Sequence, residues 1–128
     1  MLQEKIFNTG MVSLNYAEGQ SKGPPLVLLH GIPGRWQEFL PLLPALSMRW
    51  HIYALDLRGH GKSGQVPGQY LPEDYTVDVV AFLQEQVQEA AVLFGNSAGG
   101  MATLAAAAQL PQKVRALVIG DSPIDMRC

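Results

Sequence analysis

Between Ala90 and Leu110 a short apolar run, Ala91-Val92-Leu93-Phe94, gives way to Gly95-Asn96-Ser97-Ala98-Gly99-Gly100 and then to a stretch of strong helix formers that Pro111 stops. The apolar run has the length and bounding of a fully buried strand, so Ser97 falls where a strand turns into a helix. A nucleophilic serine needs that position. Its hydroxyl projects from a tight turn, and the N–H groups at a helix start are available to stabilise negative charge. The spacing G-x-S-x-G supplies the turn, because a side chain at Gly95 or Gly99 would hold strand and helix apart. The motif is short, and the strand before it and helix after it are what lift it above an ordinary glycine–serine loop.

Length and charge narrow the surroundings. The 128 residues make one domain, with 48% hydrophobic residues to build its core. A formal net charge of −2, with nine scattered Lys and Arg, offers no basic stripe for nucleic acid. No apolar run reaches the ~18 residues of a membrane span, and Met1-Leu2-Gln3-Glu4-Lys5 does not open like a signal peptide. The expectation is a soluble, cytoplasmic protein that engages neither nucleic acid nor membrane. Cys128 is the single cysteine, so neither an intrachain disulfide nor a zinc-type ligand cluster is expected.

In chain order, Lys5 to Glu18 alternates loosely around Asn8-Thr9-Gly10 and reads as an antiparallel hairpin at a sheet edge. Leu26-Val27-Leu28-Leu29 reads as a central parallel strand, delivering the chain to His30-Gly31-Ile32-Pro33-Gly34. Trp36, Phe39, Leu40, Leu43 and Leu46 recur at near-helical spacing, which Pro41 and Pro44 limit to short or kinked pieces. His51 to Leu55 is a third strand, followed by the polar, glycine-rich loop Asp56-Leu57-Arg58-Gly59-His60-Gly61-Lys62-Ser63-Gly64. Thr76, Val80, Leu83 and Val87 place an apolar stripe on a helix from about Pro72 to Gln88, with Asp78, Gln84, Glu85, Gln88 and Glu89 on its polar surface. Val114 to Gly120 is a last buried strand. Alternating strands and helices predict a mostly parallel sheet with helices on both faces, preceded by the hairpin. In such sheets ligands sit outside the carboxyl ends of the strands, which gathers the His30 turn, the Asp56 loop, Ser97 and Asp121 along one edge.

Those three turns, in that order and at those separations, resemble the N-terminal half of an α/β-hydrolase fold enzyme of the serine-nucleophile branch, over essentially the whole chain. The resemblance implies that residues 1–128 are the N-terminal part of a single domain lacking lid and C-terminal strands. It makes Ser97 the nucleophile, and the backbone N–H groups of Ala98 and Ile32 the oxyanion donors. Losing one such donor typically costs ~3 kcal/mol in the transition state. Structural roles follow for His30, Gly31, Gly34, Asp56, Arg58, Gly59, His60, Gly61, Ser63, Gly95 and Gly99, with Arg58 and His60 bracing neighbouring turns. Asp121 matches a position where some members of the fold place their acid, a capping or loop role being the alternative. Trp36 and Phe39 either line a substrate pocket or pack beneath the oxyanion loop. Met101 and Leu104 read as core, and His51 as a surface or interface histidine.

The implied reaction is acyl transfer through an acyl-enzyme at Ser97 on a small ester, thioester or related acyl substrate, with no cofactor and no metal. Serine at the elbow separates the chain from the epoxide-hydrolase and haloalkane-dehalogenase branches, which place aspartate there. Family order runs nucleophile, acid, histidine, yet His30, His51 and His60 all precede Ser97. A truncated, fragmentary or degenerate hydrolase is therefore expected, feeble alone because a serine without its base is a weak nucleophile. The alternatives are a non-catalytic binding module or half of a complex completed by a second chain. An open apolar edge at Val114 to Gly120 is expected to drive self-association.

Overall fold

A computed structural model describes residues 2–120. Among these described residues six strands form one sheet: β1 (Gln3–Asn8), β2 (Ser13–Glu18), β3 (Pro25–Leu29), β4 (His51–Leu55), β5 (Ala91–Asn96) and β6 (Val114–Gly120), in the spatial order β1-β2-β4-β3-β5-β6. The hairpin β1–β2 is antiparallel and joins β4 antiparallel; β4, β3, β5 and β6 are mutually parallel. Three helices accompany them: α1 (Leu43–Leu46), α2 (Pro72–Glu85) and α3 (Ala98–Gln109), with a 3-10 segment at Trp36–Leu42 leading into α1. The expected α/β architecture with its N-terminal edge hairpin is the one observed. Among the described residues no helix is long and apolar enough to cross a membrane.

The continuous apolar run of β3 exists because both faces of the strand are covered. Val27 and Leu29 turn toward the core beneath α2 and α3, with Tyr53, Leu55, Phe82, Leu83, Leu93 and Ala106. Leu26 and Leu28 turn the other way, joining Ile52, Ala54, Trp36, Phe39 and Leu43. Trp36 and Phe39 are thus packing residues. Pro41 lies inside the 3-10 segment, which turns to α-helix only at Leu43.

Two readings of the helices need correction. On α2 the buried face is Tyr75, Thr76, Asp78, Val79, Phe82 and Leu83, and the helix ends at Glu85 with Val87 buried beyond it. Asp78, expected on the polar surface, is 2% exposed because it meets Arg58 underneath. On α3, Met101 and Leu104 are exposed rather than core. The buried face of that helix is Gly99, Gly100, Ala102, Thr103 and Ala106, small residues that let it lie close to the sheet.

The strand order places the site. From β3 the chain passes across one face to β4 on one side, and later enters β5 on the other, so the sheet reverses its winding at β3. Leu29 pairs with Gly95 at the carboxyl ends of β3 and β5. The turns leaving these two strands therefore emerge side by side, at the kind of crevice where open parallel sheets bind ligands.

Candidate active site

Ser97 joins β5 to α3 with φ 56° and ψ −119°, the only non-glycine positive φ among the described residues. Its N–H donates to Gly120 O on β6 at 3.0 Å, and its carbonyl accepts Met101 N–H at 3.2 Å. Tight packing imposes the turn. A Cβ on Gly95 would lie 2.3 Å from Gly99 O, and one on Gly99 would lie 2.5 Å from His30 O. Gly31 packs directly on the serine, since a Cβ there would stand 3.1 Å from that of Ser97. Ser97, Ala98 and Ile32 all line a cleft of about 730 Å³ bounded by the start of α2 and the outer face of α3. At this corner a hydroxyl, the N–H end of a helix and the backbone of a second turn converge.

His30, fully buried, shapes that second turn. Its Nε2 accepts Leu57 N–H at 2.9 Å, so its proton sits on Nδ1, which donates to Gly31 O at 2.6 Å. Burial holds its pKa below the usual histidine value. The Ile32–Pro33 peptide bond is cis, and Gly34 closes the turn against Gly31 O and Glu38.

The Asp56 loop is built around its carboxylate. Oδ1 accepts Trp36 N–H at 2.7 Å, and Oδ2 accepts Asn15 Nδ2 at 2.9 Å and Lys62 N–H at 3.0 Å. Gly61 packs on that carboxylate and Gly59 on the Tyr70 ring. Ser63 Oγ donates to Asp56 O at 2.7 Å and accepts Asn15 N–H at 2.9 Å. Arg58 reaches the other way: Nε and Nη2 bond the two oxygens of Asp78, each at 2.7 Å, and Nη1 donates to Gln69 O. The Asp78 bonds hold the guanidinium pKa above its usual value. His60 bonds the carbonyl of Arg58 through Nδ1 and lies beside the His30 ring, centroids 5.4 Å apart. His51 is at the opposite end of the sheet, where Nε2 meets Glu18 at 2.6 Å. Asp121 lies outside the described residues.

Sequence reasoning missed Glu4. From the edge strand β1 it accepts Trp36 Nε1 at 2.9 Å and Asn15 Nδ2 at 3.1 Å on Oε2, and Lys62 Nζ at 2.6 Å on Oε1. The Lys62 bond first, then Trp36 and Asn15, lower its pKa to about 2. Asp78 did carry a signal: it stands three residues after Tyr75 and four before Phe82, on the buried face of α2.

This order of strands and turns has relatives. A family model described as the alpha/beta hydrolase fold matches residues 24–127. The chain belongs to the α/β-hydrolase fold family. Over 112 residues this α/β-hydrolase chain is 35% identical to 2-(acetamidomethylene)succinate hydrolase of Mesorhizobium japonicum, covering 88% of this chain and 40% of that protein. It is 34% identical over 117 residues to the sn-1-specific diacylglycerol lipase ABHD11 of Xenopus tropicalis, covering 88% and 36%. The crystal structure of E-2-(acetamidomethylene)succinate hydrolase superposes with a TM-score of 0.85 at 32% identity, over 91% of this chain and 43% of that one. The α/β-hydrolase chain thus spans well under half the length of these relatives.

Proposed function

We propose that this stretch is the nucleophile-bearing part of a serine hydrolase that acts on a small ester, thioester or related acyl substrate. Ser97 Oγ attacks the acyl carbon, and the N–H groups of Ala98 and Ile32 receive the charge that develops on the carbonyl oxygen. The observation that carries the reading is the positive-φ turn of Ser97 at the head of α3, with Gly31 packed against it. The tetrahedral intermediate collapses by expelling the alcohol or thiol, and water then releases the acid from the acyl-enzyme. His30 is not the base of this reaction, because its Nε2 lone pair is held by Leu57 N–H. The acid and the base belong to polypeptide outside the described residues, with Asp121 as the candidate acid. Hydrolases among the relatives, including a lipase by name, support the same class.

The test is covalent labelling. A fluorophosphonate probe should modify Ser97 slowly, assisted by the oxyanion donors without the base, yet faster than it modifies an ordinary exposed serine, with the mass shift mapped to its peptide and lost in Ser97→Ala. Exposed Ser21 provides the background within the same molecule. Labelling of Ser97 no faster than that of Ser21 overturns the reading.

A further inference from the structure

The cleft that opens at Ser97 has a direction. Its floor is one face of α3, formed by Ala98, Met101, Ala102, Ala105 and Gln109, which stack along the helix axis at spacings of three and four. Its opposite wall is the start of α2, including Glu73 and Val77. From Ala98 to Gln109 the helix rises about 16 Å, the reach of an alkyl chain of about a dozen carbons. The floor is therefore a straight track leading away from the hydroxyl, and its walls are mainly apolar. Ala102 and Ala105 keep the track low, while Met101 is adaptable enough to close over a flexible chain. Glu73 is the one carboxylate on the wall, and no Lys, Arg or His lines the cleft among the described residues. A negative charge seated here would lose hydration, meet no cation and face Glu73.

We propose that this track seats the linear acyl chain of an uncharged ester, with its carbonyl carbon at Ser97 and its methyl end toward Gln109. The assignment rests on the reading of Ser97 as the nucleophile and adds the substrate class. The alcohol side of the ester then points away from α3, toward the Ile32 turn.

Binding of straight-chain 1-alkanols, from butanol to tetradecanol, tests the track without any bond being made or broken. Titration of the 128-residue chain should show affinity rising about two- to fourfold per methylene and levelling off near a dozen carbons. Ala105→Phe, which blocks the track about 10 Å from Ala98, should bring the plateau down to about eight carbons. Ala105→Leu, a smaller intrusion, should shorten it less and keeps the comparison valid if the phenylalanine variant does not fold. Alkanoates should bind at least about tenfold more weakly than alkanols of equal length, and Glu73→Gln should narrow that gap. Affinity indifferent to chain length, or a plateau that neither Ala105 variant moves, overturns the proposal and leaves the track to a covering polypeptide segment. A length series beside a Ser97 that does not label supports the alkyl site and overturns the nucleophile reading; labelling without a length series does the reverse.

Discussion

The backbone N–H of Leu57 donates to Nε2 of His30 at 2.9 Å, so the Asp56 loop fixes the tautomer of the histidine that shapes the Ile32 turn. Removing the imidazole strands two buried backbone groups, Leu57 N–H and Gly31 C=O. His30→Ala should cost about 2–4 kcal/mol in urea unfolding.

The same burial sets an acid limb. Unfolded, His30 takes up its proton near 6.5; folded, it does so only at lower pH. Its contribution is complete above 6.5 and declines as pH falls through that value toward the lowered one. A second decline follows below 4.5, the ordinary value for Glu4, and runs to about 2, its value in the fold. Urea midpoints measured from neutral pH downward should show both, and Glu4→Gln should flatten the lower one alone.

Arg58 and Asp78 are 1% and 2% exposed and bonded through both carboxylate oxygens. Losing either partner leaves a buried charge alone, at a cost of about 3–5 kcal/mol, whereas replacing both with apolar residues of similar size costs much less. A double-mutant cycle with Arg58→Met and Asp78→Leu should show the pair of substitutions less harmful than either one.

Strain at Ser97 is measurable in the same way. A positive-φ turn costs a non-glycine residue about 1–3 kcal/mol, and glycine escapes most of it. Ser97→Gly should therefore be about 1 kcal/mol more stable than Ser97→Ala, although both lose labelling. Gly99→Ala, driven into His30 O and Leu29 O, should destabilise severely.

β6, expected as a buried strand, pairs with β5 at the sheet edge and has no fully buried residue, Val118 being 50% exposed. The 128-residue polypeptide should self-associate with rising concentration, and Val118→Lys should reduce that association, as seen by light scattering. A monodisperse wild-type chain with a cooperative melt at high temperature counts against it.

Elements carried by local patterns were legible in the sequence: the apolar runs of β3 and β5, the hairpin, and the strand–turn–helix at Ser97. Contacts between distant residues were not. Glu4 looks like one more charge on an exposed strand until the sheet brings Trp36 and Lys62 to it. Met101 and Leu104 read as core by hydropathy, but glycine and alanine on the other face of α3 draw that face to the sheet and turn the larger residues outward. Asp78 reads as outward when the apolar stripe is drawn through Thr76, Val80 and Leu83; the buried face is wider than that stripe and takes in Tyr75, Asp78, Val79 and Phe82 beside Thr76 and Leu83.

Reversal of the winding at β3 also carries a kinetic consequence. The Ile32 turn and Ser97 are distant in sequence and become neighbours only when β3 and β5 zip together, a closure that costs loop entropy before it returns any contact. A nascent or partly folded chain therefore holds an ordinary, unstrained serine. Chemical distinctiveness at Ser97 arrives together with the central strand pairing, which makes that one side chain a clock for the completion of the fold.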